Sequence, residues 1–361
     1  MKQKSICFIL PSHSDSPCGG YKIVYEYANR FSLDHFKVYI AYADFLTTFT
    51  EWKPISTFTK LKYLIKIALH YNQTNGWFKL NKNVKEKSIP EISTFWLPKS
   101  DYYIATAIDT SFFLDKLLFP SQKKFYFIQD FEFWNKTEKY VFDSYKLNLN
   151  KIVISPWLQE KVLEVNQKSI LIPNGFDFNY FKLNVGIEDR NPHTISLLYH
   201  LDDRKRLSDA FAALQIVKQK DPKLSVLMFG TPDKPLNLPD WIQYFKKPNR
   251  ETHNYIYNNT AIFISASKLE GFGLPLGEAM ICGCAVCCTN NLGSNIFTIN
   301  NETALVSEPL HPDELAENIL KLVNNDSLRN KIAIAGNSII KKFSWETSYP
   351  LFKQALIEKD S

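Results

Sequence analysis

Ala261-Ile262-Phe263-Ile264-Ser265, followed four residues on by Glu270-Gly271-Phe272-Gly273-Leu274-Pro275-Leu276-Gly277-Glu278, is the stretch on which the reading of this chain turns. The first segment is an apolar run of strand length, and the glycine-rich turn behind it leads into a helix. A strand end feeding a helix N-terminus presents backbone N–H groups and the positive end of the helix dipole, which together attract an anion. Gly271 and Gly273 let the backbone approach a ligand closely, and Pro275, early in the helix, lacks only an N–H that would have gone unpaired. The pattern reads as a site for a phosphate ester.

The two glutamates, eight positions apart, need a different task, because carboxylates repel phosphate. Glu270 lies before the glycines and is placed to face a sugar. Glu278, about one turn into the helix, is placed to reach back toward a ribose diol. Both would accept charge-assisted hydrogen bonds from hydroxyls, which are about twice as strong as neutral ones. The alternative is a Gly/Pro loop with solvated glutamates, and the strand before the loop counts against it.

Outward from this stretch, short β-rich runs alternate with helical patterns twice over. In the first half they are Ser5–Leu10, Val38–Tyr42, Tyr102–Ala107, Lys124–Gln129, Lys151–Ser155 and Ser169–Ile172. In the second they are Thr194–His200, Leu224–Gly230, Trp241–Phe245, Ala261–Ser265, Ala285–Thr289 and Thr303–Ser307. Helical periodicity falls between many of them, at Tyr21–Phe31, Pro156–Asn166, Leu207–Gln219 and Pro312–Asn324. Such alternation predicts an α/β protein with two doubly wound parallel sheets. A length of 361 residues agrees, since single cores seldom grow past roughly 250–300 residues. The turn signal Pro173-Asn174-Gly175 sets the expected boundary, giving a first domain over 1–172 and a second from 173 on.

Composition removes several function classes. With 45% hydrophobic residues the chain is not disordered, and a net charge of +6 is too modest to imply nucleic acid. No apolar run approaches the eighteen or so residues that span a bilayer, so the chain is expected to remain in the cytoplasm. Cys282-Gly283-Cys284-Ala285-Val286-Cys287-Cys288 alternates with small apolar residues and has no histidine at ligand spacing, so packing is expected rather than a metal site. Between Lys53 and Lys87 eight lysines face one acidic residue, Glu86, and Lys60, Lys62 and Lys66 are interleaved with apolar residues. That segment suits either an anionic membrane surface or a solvated helix covering the first sheet.

At Ser267-Lys268-Leu269-Glu270-Gly271-Phe272-Gly273-Leu274-Pro275, with Glu278-Ala279 behind, the chain resembles the retaining nucleotide-sugar glycosyltransferases of family four, which have the GT-B fold. Weaker likeness extends over most of the chain, at Ile172-Pro173-Asn174-Gly175-Phe176-Asp177 and Phe343-Ser344-Trp345-Glu346. The resemblance implies two Rossmann-like domains facing a central cleft, an N-terminal acceptor domain over 1–172, a C-terminal nucleotide-sugar domain over 173–342, and a last helix over 343–361 that crosses back to the first. It implies donor binding by Gly271, Phe272, Gly273, Leu274 and Glu278, with Glu270 catalytic. Gly19 and Gly20, after the first strand, match the place of a glycine-rich loop near the donor diphosphate. Lys205 matches a diphosphate-binding lysine. The arginine usually found a few residues earlier is missing, with His200-Leu201 in its place, so Arg204 or Arg206 is expected to substitute.

Phe125-Tyr126-Phe127-Ile128-Gln129-Asp130-Phe131-Glu132 looks like the corresponding run of bacterial rhamnosyltransferases that build surface polysaccharides from dTDP-L-rhamnose. Asp130, as a second catalytic candidate, and Glu132 are then expected to bind donor or acceptor hydroxyls, with Asn174 a further sugar contact. No Asp-x-Asp pair is present, so no metal or other cofactor is expected. The reading is transfer of a sugar, L-rhamnose by this resemblance, from a nucleotide sugar to a surface glycan or lipid-linked acceptor. In the latter case contact with the inner face of the membrane gains weight. The alternatives are another hexosyltransferase using a UDP- or GDP-sugar, and a catalytically silent GT-B subunit of a polysaccharide assembly complex.

Overall fold

A computed structural model of the chain describes residues 3–43, 65, 76–134 and 136–358. These form two compact units. One holds the described residues up to Ile172 together with those from Tyr349 on, and the other runs Pro173–Ser348.

The first unit is built on β1 (Ser5–Leu10), β2 (Lys37–Tyr42), β3 (Lys85–Ser88), β4 (Tyr102–Ala105), β5 (Lys124–Ile128), β6 (Asn150–Val153) and β7 (Ser169–Leu171). All pairings are parallel, in the order β3-β2-β1-β4-β5-β6-β7. The central strands are unbroken apolar runs because helices cover both faces, and Ile6, Cys7, Phe8 and Ile9 are fully buried. β3 was not expected from sequence. Its residues Lys85-Glu86-Lys87-Ser88 carry no apolar signal because it is an edge strand, where charge is tolerated and discourages further pairing.

The second unit has β8 (Thr194–Tyr199), β9 (Ser225–Gly230), β10 (Ile242–Lys246), β11 (Ile262–Ser265), β12 (Ala285–Thr289) and β13 (Ala304–Ser307), again all parallel, in the order β10-β9-β8-β11-β12-β13. Each sheet therefore reverses its winding once, between β1 and β4 in the first and between β8 and β11 in the second. Crevices outside the carboxyl ends of strands at such switch points are where open α/β sheets bind ligands.

Helix Arg250–Asn258 also escaped the sequence reading. Only Ile256, Tyr257 and Asn258 of it are buried, so it has no sustained apolar stripe, and its start is fixed instead by Asn249, whose side chain accepts from the Thr252 N–H. The last helix, Trp345–Ile357, takes part in both units. In the second, Ser348 Oγ donates to the Pro173 carbonyl at 2.7 Å. In the first, Phe352 packs on Tyr27, Phe127 and Phe8, and Asp34 accepts from Tyr349 and pairs with Lys353, each at 2.6 Å.

Cys282, Cys284, Cys287 and Cys288 are free thiols buried in the second unit, and burial pushes those of Cys284 and Cys288 up to about 12. They pack as small apolar side chains. Among the described residues no helix is long and apolar enough to cross a membrane. Lys53, Lys60, Lys62 and Lys66, on which the expected membrane contact depends, lie outside the described residues.

Candidate active site

The switch point of the second sheet is flanked by two loops. Behind β8, His200 to Arg206 includes a 3-10 turn at Asp203–Lys205, and left-handed Arg206 (φ 47°) then opens helix Leu207–Lys220. Behind β11, residues 266–273 lead to helix Leu274–Ile281, entered through Gly273 at φ 84°, a left-handed conformation that glycine adopts without strain. Gly273 itself has no side chain with which to cap that helix start.

These loops are joined at backbone and side chain. The Lys268 N–H donates to the Arg204 carbonyl at 2.7 Å. Lys205 Nζ donates to both carboxylate oxygens of Glu270, at 2.6 and 2.7 Å, with side-chain exposures of only 19% and 12%. A third segment, after β12, holds the Glu270 main chain. The Glu270 N–H donates to the Asn291 carbonyl at 3.0 Å, and Asn291 Oδ1 accepts from Ser294 N and Oγ at 3.0 and 2.9 Å. Gly293 lies so close that a Cβ there would sit 2.3 Å from the Glu270 carbonyl oxygen. Glu270 is thus held by main-chain contacts and by one cation, and it is placed at the mouth of the sheet.

The other expected donor residues fall out as follows. Arg204 does not extend freely toward a diphosphate, because its guanidinium is bonded to Asp202 at 2.7 to 3.2 Å. Arg206 is paired with Asp209, at 2.9 and 2.8 Å. Phe272 is buried against Phe176, Phe297 and Phe343, so only its backbone faces the loop. Gly271 precedes it, and Leu274 is the first residue of the helix. Glu278 is in that helix and 7% exposed, beside Tyr257, whose hydroxyl is pushed well above its ordinary range by burial and then by the Glu278 charge. Asn174 is 1% exposed, and its side-chain oxygen has no hydrogen-bond partner among the described residues.

In the first unit, Gly19 and Gly20 open helix Gly19–Leu33 after β1, with no side-chain cap. The amide of Gln129, at the end of β5, lies against Gly20, and its oxygen is buried without a partner among the described residues. Asp130 Oδ1 accepts from the Phe131 N–H at 2.8 Å. Both Glu132 oxygens accept from the Ile108 N–H, at 3.1 and 3.2 Å, so this carboxylate caps helix Ile108–Asp115. Burial, with added repulsion from Asp130 and Asp109, pushes Glu132 up to about 8. The expected hydroxyl-binding role of Glu132 therefore competes with a cap already formed.

Sequence reasoning did not single out Asn291, Gly293 or Ser294. The turn composition of Asn290-Asn291-Leu292-Gly293-Ser294 directly after a strand was the available signal.

Residues 185–338 match the model of the family described as Glycosyl transferases group 1, a span that contains Lys205, Glu270 and Glu278. Over 106 residues the chain is 35% identical to the O-antigen chain mannosyltransferase B of Escherichia coli, covering 29% of this chain and 27% of that protein. It is 24% identical to the capsular polysaccharide biosynthesis glycosyltransferase CapM of Staphylococcus aureus, covering 58% of this chain and 62% of that one. The chain thus spans less than two thirds of the length of these relatives. Among solved structures, Alr3699/HepE of Anabaena in complex with UDP and glucose superposes with a TM-score of 0.71 at 14% identity, covering 99% of this chain and 100% of the other. The fold is that of the GT-B glycosyltransferases, two parallel-sheet Rossmann-like domains.

Proposed function

We propose that this chain is a retaining glycosyltransferase that moves a sugar from a nucleotide-sugar donor to a growing bacterial surface glycan or lipid-linked acceptor. The observation that carries the reading is the Lys205–Glu270 pair at the second sheet's switch point, beside the start of helix Leu274–Ile281. A cation and a carboxylate side by side match the two ends of the scissile bond. Lys205 would meet the diphosphate, on which negative charge grows as the bond breaks, and a fixed cation in a water-poor site stabilises that charge far better than water does. Glu270 would hold the sugar and favour the positive charge spreading from its anomeric carbon in an oxocarbenium-like transition state. In this reading the incoming hydroxyl attacks from the leaving-group face, and a phosphate oxygen takes its proton.

The donor sugar is a finer proposal. L-rhamnose from dTDP-L-rhamnose is the candidate drawn from the Gln129-Asp130 run. The mannosyltransferase name of one relative and the UDP bound by a fold neighbour equally support a UDP- or GDP-hexose. A silent GT-B subunit is the competing class.

Lys205→Ala should weaken binding of nucleoside diphosphates by about 1.5–3 kcal/mol and leave nucleoside binding nearly unchanged, because the cation acts on phosphate. Thermal shifts of wild type and variant with UDP, GDP and dTDP, against uridine, guanosine and thymidine, measure this. Equal losses for diphosphate and nucleoside would remove Lys205 from the phosphate site.

A further inference from the structure

The charges around the proposed diphosphate position nearly cancel in the free protein. Lys205 is matched by Glu270, and Arg204 by Asp202. Arg206 is turned to Asp209. A nucleotide sugar brings two negative charges into this neutral setting. One group at the crevice can still add positive charge on demand. His200 directly follows β8, at the carboxyl end of the strand that forms the switch point, and its side chain is accessible to solvent.

We infer that His200 is a titratable diphosphate ligand, through which donor affinity rises as pH falls. This rests on the reading of the second unit as the donor site. The hydrogen bonding of the ring supports it. Its Nδ1 accepts from the Asp202 N–H at 3.1 Å, so the neutral imidazole carries its proton on Nε2, which is left as the donor. The groups that act on the ring come from its own loop and from the loop behind β11. Desolvation and then Lys205 hold its pKa below the ordinary histidine range, with Arg204 acting in the same direction and Asp202 and Glu270 opposing.

In the free protein near neutral pH the ring is uncharged and offers one N–H. Bound phosphates favour the charged form and raise its pKa, so binding takes up a proton. Affinity then climbs as pH falls through the bound-state pKa and levels off below the free-state one. A neutral hydrogen bond becomes a charge-assisted one over that range, which is worth about tenfold in affinity.

The test uses UDP-glucose and dTDP-L-rhamnose, whose two phosphates are both esterified and do not titrate in this range. Their affinities for the full chain are measured by calorimetry between pH 5.5 and 8, for wild type, His200→Asn and His200→Arg. Wild type is expected to bind at least one of them about tenfold more tightly at pH 5.5 than at pH 8. His200→Asn should lose that slope and keep the weaker, high-pH affinity, and His200→Arg should be flat and tight throughout. A pH-independent wild type, or the same slope in His200→Asn, would overturn the role of His200 while leaving the donor site standing. Absence of binding to either nucleotide sugar at every pH would overturn the donor-site reading and this inference with it.

Discussion

Glu270→Gln is expected to lower kcat on the order of a hundredfold or more while leaving donor affinity unchanged or slightly tighter. The substitution keeps the shape of the side chain and removes its charge. What is lost is an interaction that strengthens as positive charge develops on the sugar, and removing one preorganised electrostatic contact of this kind typically costs roughly 10²–10³ in kcat. The ground state responds differently because of the pair in the resting site. Lys205 Nζ is bound to both Glu270 oxygens, so the amide would release part of the lysine charge to the diphosphate. The expected signature is therefore a fall in kcat without a rise in KM. A variant with near-wild-type kcat would remove Glu270 from the reacting centre.

Gly293→Ala should do comparable damage from behind the site. Gly293 has φ −66° and ψ −39°, a conformation any residue adopts, so backbone freedom is not what requires glycine there. The requirement is space. An added Cβ would meet the Glu270 carbonyl oxygen at 2.3 Å, its carbonyl carbon at 2.7 Å and the Gly271 carbon at 2.8 Å, all of them backbone atoms that cannot rotate aside. Overpacking of this kind costs about 1–3 kcal/mol, and relief requires moving the Glu270–Gly271 segment itself. The expected result is a Tm lowered by several degrees together with turnover reduced at least tenfold. Gly20→Ala is the contrast for stability, since the nearest atom to its Cβ would be in the Gln129 amide at 3.5 Å, an ordinary contact. Wild-type Tm and kcat in Gly293→Ala would show that the loop yields freely and that its position does not matter.

What could be read from the sequence and what could not divide along physical lines. Runs such as Ile6-Cys7-Phe8-Ile9 and Ala285-Val286-Cys287-Cys288 were legible because strands covered on both faces must be apolar throughout, and their alternation with helices fixes a doubly wound class. Lys85–Ser88 was not, because an edge strand is selected for charge rather than burial. The glycine-rich turn and its glutamates were visible as a local pattern. Their partners were not, since Lys205 and Glu270 are 65 positions apart and meet only because β8 and β11 are neighbours in the sheet. The same holds for Arg204 and Arg206, which looked like diphosphate ligands by type. The structure commits each to an aspartate two or three positions away, pairings that a basic run flanked by Asp202 and Asp209 permits without requiring. Glu132 shows the converse. Its carboxylate stands out in the sequence through the resemblance of the Phe125–Glu132 run to rhamnosyltransferases, whereas its bond is to a helix start 24 positions earlier.

The most direct test of the central claim is release of nucleoside diphosphate from the nucleotide sugar that gives the largest thermal shift, followed with and without a glycan or lipid-linked acceptor. The expected result is release that depends on acceptor, accompanied by a glycosylated product of retained anomeric configuration, and lost in Glu270→Gln. A donor that binds and protects the chain, yet is neither transferred to any acceptor nor hydrolysed on long incubation, would contradict it and identify the chain as a silent nucleotide-sugar-binding subunit.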